Sequence, residues 1–533
     1  MKKLPCSIFN DVIGPVMRGP SSSHVAGAAR IASLVRQSMN AQIVRAVVDF
    51  DVNGSLAASH DGHGSDMGFA CGLMDMELSN PAVDQYERLA KEKGIEIEYR
   101  ILDYGAVHPG NYRIEATDVS GGVRHWEAIS EGGGMVRMQR LEEFEVDICG
   151  DFYELLLICG GEESGYKACE ADVKAILGES EFILESRGKE RCLVNLKYAR
   201  PLKAEELDTV RAAEGVVEVI YLKPVLPTLS CANCEVPYST AEKLLEYAKE
   251  CPMEPWKYGA YYESCRGNVT VDEVFSQMEN ILSVMENAVD AGLAGTEYKD
   301  RILGVQSQRI EAAEQEGTLV PCNPLNMVIA SITAVMETKS SMGLIVAAPT
   351  CGSCGCLAGT VIGLGRALNL PREEMIKGLF AAGLVGVFFA EAATFSAEVG
   401  GCQVECGAGS GMAAAAVVQM MGGSISQCMD AASVALQNIT GLACDPVGNR
   451  VEVPCLGKNV MGGSNAISSA NMILAGYDKV IPLDETIKAI YEIGLSLPLE
   501  LRCTFGGLGK TKTAMKILKK AERHFTDSFG QKG

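Results

Sequence analysis

The sequence is poor in imidazole, in indole and in positive charge. It has six histidines and two tryptophans among 533 residues, and 47 lysines and arginines against 68 aspartates and glutamates, a formal net charge of −21. An acidic chain without a cluster of basic residues is repelled by phosphates, so the composition argues against a nucleic-acid partner. With so few imidazoles, a bound metal would be held mainly by cysteine.

Long apolar runs are absent as well. The longest, GLFAAGLVGVFFA from Gly378 to Ala390, is shorter than a bilayer span and stops at Glu391, so we expect a buried core helix and no membrane partner. The opening residues MKKLPCSIFND lack the apolar segment of a secretory signal, so we expect a cytoplasmic protein.

Cysteine, in contrast, is abundant. The chain has 20 cysteines. Because disulfides are rare in the cytosol, this number indicates thiolate chemistry, metal binding or a cell that sees little oxygen.

The chain is too long for one hydrophobic core, and its composition and pattern of apolar residues change along its length. Residues 1–150 alternate strand-like runs such as IVRAVVDFDV with helical stretches, which predicts an α+β domain. Residues 151–225 show the order βαββαβ of a ferredoxin-like unit, with a first helix in GYKACEADVKAIL. Residues 226–240, rich in proline and small polar residues, predict a linker. The Ala/Gly/Met-rich segments of 241–533 predict an all-α domain.

The stretch GPSSSHVAGAAR, Gly19 to Arg30, places three serines and His24 in front of a predicted helix. Serine is a preferred N-cap, but one serine would be enough for that purpose. The free amides of a helix start also bind carboxylates and phosphates. The stretch is therefore either an elaborate cap or an anion pocket with a titratable group beside it.

Three glycine-rich loops in the predicted helical domain carry cysteine: APTCGSCGCLAG, SAEVGGCQVECGAGSG and CDPVGNRVEVPC. Glycine lets backbone approach a bulky ligand, and loops between rigid helices commonly carry binding groups. Cys351 with Cys354, and Cys231 with Cys234, have the spacing of half a zinc site, but neither pair has a matching second pair. Buried free thiols are the alternative for most of the cysteines.

These loops resemble those of the iron–sulfur-dependent, pyridoxal-independent L-serine dehydratases. The resemblance rests on motifs that span nearly the whole chain: GPSSSH at 19–24, GHGSD at 62–66, HPG at 108–110, GGG at 132–134, APTCGSCG at 348–355, GGCQVE at 400–405, CDPVGNRVEVPC at 444–455 and ELRCTFGGLG at 500–509. It implies a β part, an ACT-like unit and an α part fused in that order, which agrees with the division above. It also implies a small hydroxy acid as substrate.

The resemblance implies a 4Fe-4S cluster held by only three cysteines, Cys402, Cys444 and Cys455, with one iron left open. An open iron is a Lewis acid that eases loss of a substrate hydroxyl and acidifies the α-proton. Cys406 is either a spare thiol or a competing ligand, and Cys503 is not established as a fourth. Because the chain ends FTDSFGQKG, we expect no terminal cysteine to cap the open iron.

The resemblance also assigns roles near the N-terminus. A neutral imidazole suits removal of an α-proton, so His63 is expected to be the base, with His24 as second choice or as a carboxylate partner. Ser21, Ser22 and Ser23, with the helix start behind them, are expected to hold the substrate carboxylate.

Departures from the family pattern bear on the substrate. Val25 removes a hydroxyl next to His24, Val404 replaces a glycine, and Arg450, Lys510 and Lys512 add cations near the expected site. A second carboxylate on the substrate would account for these changes. We therefore favour 2-(hydroxymethyl)glutarate, dehydrated to 2-methyleneglutarate by a relative of these enzymes, with L-serine as the alternative.

A non-catalytic role as a small-molecule or redox sensor is the third hypothesis, although a sensor needs no base beside an open iron. The ACT-like unit leaves dimerisation, scaffolding and effector binding open. We expect a homo-oligomer.

Overall fold

A computed structural model describes residues 4–160, 171–298, 301–504 and 506–528. The strands are β1 (Val16–Met17), β2 (Ile43–Asp51), β3 (Glu96–Leu102), β4 (Asn111–Asp118), β5 (Val123–Gly132), β6 (Met135–Leu141), β7 (Phe144–Ile148), β8 (Tyr153–Gly160), β9 (Phe182–Arg187), β10 (Arg191–Tyr198), β11 (Val216–Leu222) and β12 (Ile345–Val346).

The helices are α1 (Gly27–Ser38), α2 (Leu56–Ser59), α3 (Ser65–Leu73), α4 (Tyr86–Glu92), α5 (171–177), α6 (Ala204–Arg211), α7 (Ala241–Glu250), α8 (Pro255–Gly267), α9 (Val271–Ala294), α10 (Ser307–Gln315), α11 (Asn323–Ser340), α12 (Cys354–Ala367), α13 (Arg372–Ala392), α14 (Ala397–Gly400), α15 (Cys406–Met420), α16 (Ile425–Ile439), α17 (Cys455–Leu474), α18 (Leu483–Ser496) and α19 (Lys512–Ser528). Single helical turns, among them Ile8–Val12, Ser22–Ala26 and Cys402–Val404, lie between them.

The first region is built on a six-stranded sheet in the order β3-β2-β4-β5-β6-β7. Strands β2 and β3 are parallel, and the other neighbours are antiparallel. Burial alternates along β4, as expected of a strand with one face on a core. Helices α1 and α3 contribute to the core on that sheet, and the mixture of helices and strands expected of an α+β region is confirmed.

Two glycines of α3 bring it unusually close to α1. A Cβ at Gly72 would lie 2.2 Å from the carbonyl oxygen of Ala29, and one at Gly68 would lie 2.1 Å from that of Val25. Residues with a side chain do not fit at these two positions, because backbone atoms occupy the space. The contact at Val25 holds the turn Ser22–Ala26 against α3 and the loop that precedes it.

The second region has a four-stranded antiparallel sheet in the order β11-β8-β10-β9. The strands lie at the positions that the alternation of apolar residues predicted, and α5 and α6 contribute to a separate core on this sheet. The predicted first helix begins at residue 165, but residues 161–170 lie outside the described residues.

The third region is helical, as predicted, and contains the largest core. Small residues let its helices approach closely: a Cβ at Gly359 of α12 would lie 2.4 Å from Cα of Ile332 in α11. Among the described residues, α13 is the one helix whose length and composition would suit a membrane span, and 78% of that apolar window is buried inside the fold. The apolar run at Gly378–Ala390 is therefore a core helix.

The N-terminal segment joins the first region to the third. The turn Ile8–Val12 packs against α13, where Gly386 leaves room for Val12. Strand β1 pairs with β12 through Val16 and Val346, and Gly14 donates a hydrogen bond to the carbonyl of Ala347. The segment that follows β1 therefore lies beside the loop that follows β12.

Candidate active site

Two histidines meet inside the first region. His24 lies in the turn Ser22–Ala26 before α1, and His63 lies in the loop before α3. Their ring centroids are 4.7 Å apart with an interplanar angle of 74°, and both side chains are buried. The close approach of α3 to α1 brings the rings together, and Gly64, with φ +88°, makes the turn into α3 that a side chain would strain.

Both nitrogens of His24 are hydrogen-bonded. Nδ1 lies 2.9 Å from Oγ of Ser21, and Nε2 lies 2.8 Å from Oγ of Ser59. Because the Ser59 hydroxyl donates to the carbonyl of Ser55, it accepts from His24 Nε2–H, and Ser21 then donates to Nδ1. His24 is thus a neutral imidazole with its proton on Nε2.

The three serines do not form an elaborate cap. Ser21 stands at the N-cap position of the turn, but its side chain makes no capping hydrogen bond and contacts His24 instead. Ser22 is buried, and its hydroxyl accepts a hydrogen bond from the backbone N–H of Cys351, which joins this turn to the helical region. Ser23 lies 3.3 Å from Ser21, oxygen to oxygen.

His63 has an unused nitrogen. Its Nε2 is buried and has no hydrogen-bond partner among the described residues. Burial lowers the pKa of His63 to about 3, and the neighbouring His24 lowers it further in the same direction. Burial likewise lowers the pKa of His24 to about 3. Both rings are therefore neutral at pH 7, and His63 offers a buried nitrogen that can accept a proton.

A group of thiols lies in the helical region. The sulfurs of Cys402 and Cys444 and a carboxylate oxygen of Glu405 are within 4.8 Å of one another. Cys402 lies in the turn Cys402–Val404, and Cys455 begins α17. Cys444 is held by backbone hydrogen bonds to residues on both sides of Arg502, because its N–H donates to Leu501 and its carbonyl accepts from Cys503.

Two further thiols, which sequence analysis left undecided, belong to the same group. Hydrogen bonds from Cys406 and then Cys444 lower the pKa of the Cys402 thiol well below its ordinary value. Cys444 is hydrogen-bonded to both Cys402 and Cys503. Burial raises the pKa of Cys455 to about 12, and the charge of Cys402 acts in the same direction. The group is thus a buried set of soft donors centred on Cys402.

Lys458 supplies a positive charge beside Cys402. Burial lowers the pKa of its ammonium, but Cys402 and Asp445 outweigh that effect and the net shift is upward. Its Nζ lies 2.7 Å from Oδ1 of Asp445 and 2.6 Å from the carbonyl oxygen of Ala443. Buried thiols with a nearby cation are a donor set that suits iron–sulfur clusters, so the residues present fit that group.

The histidines and the thiols share neighbours. The charges of Glu398 and Lys339 act on His63, and the same two charges act on Glu405. Glu398 lies 3.9 Å from Nδ1 of His24, and Lys339 also acts on Cys455. The two groups, from opposite ends of the chain, therefore border one site.

Comparison with known proteins places this chain in a family. A model of the serine dehydratase alpha chain matches residues 183–508, and a model of the serine dehydratase beta chain matches residues 11–105. The chain belongs to the serine dehydratase family. Its alpha and beta parts are fused in one chain, and the prediction of a dehydratase, a hydro-lyase, is confirmed.

Several proteins that are named L-serine dehydratase, or named as one of its chains, are similar to this chain. The probable L-serine dehydratase alpha chain of Bacillus subtilis (strain 168) is 42% identical over 47% of this chain and 84% of that protein. The L-serine dehydratase alpha chain of Peptoniphilus asaccharolyticus is 34% identical over 52% of this chain and 96% of that protein. The L-serine dehydratase of Helicobacter pylori is 24% identical over 92% of this chain and 96% of its own length.

The cations that distinguish this chain from the family pattern do not converge on the site. Arg450 is half-buried and its charge acts on Asp61, while the neighbouring Asn449 donates a hydrogen bond to the carbonyl of Ala58. Lys510 and Lys512 are exposed, and within the described ranges no hydrogen bond or ion pair joins them to the thiol group. These contacts place Arg450 beside the loop of His63 and leave the two lysines in solvent.

Sequence reasoning missed three charged residues of the site: Lys339, Glu398 and Glu405. Glu405 stands in the GGCQVE motif, and its Oε1 accepts a hydrogen bond of 2.8 Å from Thr350 in another motif. That motif could have identified it. Lys339 lies near the end of α11, in a stretch that matches no motif, and local pattern gives no sign of its burial.

Proposed function

We propose that this chain dehydrates L-serine, with pyruvate and ammonia as the final products. The observation that carries the proposal is the buried, unpartnered Nε2 of His63 beside a buried group of thiols. This arrangement offers a base for the α-proton and a place for a metal cluster at one site. That relatives covering both parts of the chain are named L-serine dehydratase supports the substrate.

For the cofactor we propose a 4Fe-4S cluster held by Cys402, Cys444 and Cys455. When bound, such a cluster with one iron not held by protein supplies a Lewis acid for the leaving hydroxyl. Cys406 and Cys503 then lie beside the ligands as neighbouring thiols, and Lys458 balances part of the negative charge of the thiolates.

The protein side chains handle the substrate and the proton. The neutral His63 accepts the α-proton at Nε2, and Glu398 stabilises the imidazolium that results. His24, fixed between Ser21 and Ser59, packs edge-on against His63 and keeps its ring in place. The backbone amides and hydroxyls of the turn at Ser22 bind the substrate carboxylate.

The charge argument for a dicarboxylate substrate loses its support. It depended on Arg450, Lys510 and Lys512 acting together, but the two lysines are exposed and the charge of Arg450 acts on Asp61. An exposed lysine is ordinarily solvated and holds no ligand in place. L-serine therefore takes the place of 2-(hydroxymethyl)glutarate as the favoured substrate.

We also propose that residues 151–225 form an ACT-like unit between a beta-like part at 1–150 and, after a linker at 226–240, an alpha-like part at 241–533. The separate core on the second sheet supports an independent unit. A homo-oligomer in the cytoplasm, where thiols stay reduced, completes the proposal. Light scattering during gel filtration measures the oligomeric state.

The deciding experiment is an anaerobic assay of protein reconstituted with iron and sulfide. L-serine and 2-(hydroxymethyl)glutarate are supplied side by side, and the expected result is release of pyruvate and ammonia from serine. Preferential turnover of the dicarboxylate would contradict the substrate assignment. Iron analysis separates an enzyme from a sensor without a cluster: about four irons per chain support the cluster, and zinc alone would contradict it.

A further inference from the structure

Lys339 is a buried ammonium group inside the candidate site. Its side chain is fully buried, and its Nζ donates a hydrogen bond to the backbone carbonyl of Val451. Within the part of the chain that the structure describes, no carboxylate lies within ion-pair distance of Nζ. Moving a charge out of water is costly unless a counter-ion compensates it, so an uncompensated buried ammonium calls for an explanation.

Two other lysines with little exposure, among those that the structure describes, show the usual solution. Lys197 lies 2.7 Å from Oε1 of the fully buried Glu154, and the mostly buried Lys458 lies 2.7 Å from Oδ1 of Asp445. Each has a carboxylate in direct contact. Lys339 departs from this rule, although it is at least as buried as either of them.

The surroundings of Lys339 indicate where its missing counter-ion would bind. Its positive charge acts on His63, Glu405 and Cys455, the three groups that border the site. Glu405 is engaged by Thr350, at 2.8 Å, and makes no ion pair with Lys339. The ammonium is therefore within electrostatic reach of the proposed base and of the thiols, and no carboxylate among the described residues forms an ion pair with it.

The turn with the three serines faces the same place. The backbone N–H of Cys351 donates to Oγ of Ser22, and the charge of Lys339 acts on the Cys351 thiol. An anion held by that turn would thus lie close to Lys339, so that the turn supplies hydrogen bonds and the lysine supplies charge.

We infer that Lys339 is the counter-ion of the substrate's carboxylate, an inference that rests on the function proposed above. In the ground state it holds the carboxylate. When the α-proton moves to Nε2 of His63, the electron pair left on Cα spreads onto the carboxylate oxygens, where the ammonium stabilises it. The pair then forms the Cα–Cβ double bond as the Cβ–O bond breaks, and the leaving hydroxyl takes up the proton held by His63 and departs as water, which returns His63 to its neutral form.

The test compares L-serine with L-serinamide, which has the same hydroxyl and α-proton but no carboxylate. Ammonia release is measured anaerobically for reconstituted wild type, Lys339→Met and Lys339→Arg. We expect Lys339→Met to raise KM for L-serine roughly 10- to 100-fold, to lower kcat as well, and to leave serinamide turnover nearly unchanged. Lys339→Arg, which keeps the charge, should retain part of the preference for serine.

Thermal unfolding gives a second measurement. If Lys339 only stabilised the fold, its replacement would lower the unfolding temperature, whereas a counter-ion for the substrate predicts no such loss. Without substrate, Lys339→Met should unfold at the same temperature as the wild type or higher, because the uncompensated charge is gone. The matched control Lys197→Met, which removes the cation paired with the buried Glu154, should unfold at a lower temperature. In the wild type, L-serine should raise the unfolding temperature, and Lys339→Met should lose that effect.

The outcomes separate this inference from the proposed function. A reconstituted wild type that neither turns over nor binds L-serine contradicts the function itself. A wild type that turns over L-serine, with a Lys339→Met variant that discriminates serine from serinamide equally well, overturns the role of Lys339 alone. If Lys339→Met loses iron but still discriminates serine from serinamide, the ammonium stabilises the thiols and their cluster. That result would also overturn its role as counter-ion of the substrate.

Discussion

The rings of His24 and His63 lie edge to face, 4.7 Å apart, yet their nitrogens are in opposite situations. Ser21 and Ser59 engage both nitrogens of His24, whereas Nε2 of His63 has no partner among the described residues. A ring whose nitrogens are both engaged is held in place, and a ring with an unused buried nitrogen can take a proton. We therefore expect the two histidines to have separate tasks although they are neighbours.

This difference predicts unequal effects of substitution. His63→Asn should lower kcat for L-serine by roughly 100- to 10,000-fold without changing the iron content, because it removes the base. His24→Asn should lower kcat less, because His63, the proposed acceptor of the α-proton, is retained. His125→Asn, at an exposed histidine, is the control and should be unchanged. If His24→Asn lowered kcat more than His63→Asn does, His24 would be the base and His63 the residue that positions it.

The same histidines predict that acid destabilises the first region. Both have a folded pKa of about 3, below the unfolded value of about 6.5, so the unfolded chain binds more protons and stability falls as pH drops below about 6.5. Between pH 7 and 5 each histidine should remove about 2 kcal/mol from the free energy of unfolding. Urea unfolding at the two pH values should show that the free energy of unfolding falls less between pH 7 and 5 in His24→Gln and His63→Gln than in the wild type. His125→Gln should match the wild type, and equal dependence in all variants would contradict the burial argument.

The proposed cluster predicts that the thiols divide into ligands and neighbours. Replacing Cys402, Cys444 or Cys455 by serine should reduce iron from about four per chain to near zero, because each removes a soft ligand. Cys406→Ser and Cys503→Ser should keep most of the iron. Cys428→Ser, at a buried cysteine of α16 outside the group, controls for loss of a thiol from the core. If Cys503→Ser loses iron while Cys455→Ser does not, the third ligand is Cys503.

The contact between α3 and the turn Ser22–Ala26 predicts that Gly68 is needed for the histidine pair. In Gly68→Ala the new Cβ would lie 2.1 Å from the carbonyl oxygen of Val25, so α3 must move away from the turn that carries His24. We expect a loss of about 1–3 kcal/mol in stability together with reduced kcat. Gly457→Ala, in a helix where no atom lies within 4 Å of the new Cβ, should instead stabilise by up to about 1 kcal/mol. Full activity in Gly68→Ala would show that the contact is not needed.

Local pattern predicted much of the fold. Alternating apolar residues placed the strands of the second sheet, and the run of apolar residues at Gly378–Ala390 marked a core helix, because period and length are local properties. Pattern did not show that Ile8–Val12 packs against the helical region, although that turn belongs to the first 150 residues. The contact depends on the fit of Val12 at Gly386, far along the chain.

The site residues that stand in recognisable motifs could be predicted from the sequence, and those outside such motifs could not. The cysteines Cys402 and Cys444 stand in recognisable loops, and the structure brings them together. Lys339 stands in none, and its importance arises from burial and from the lack of a carboxylate beside it. Neither property can be read from a single sequence, because both depend on which distant residues surround the side chain.

The hydrogen bond from Cys351 to Ser22 joins residues 329 positions apart in one polypeptide. Because the histidine turn and the loops around the thiols are tethered to each other, their encounter is intramolecular, with an effective concentration fixed by the chain itself. Dilution therefore does not separate the two halves of the site. The fraction of chains with a complete site should stay constant at concentrations where halves on separate polypeptides would dissociate.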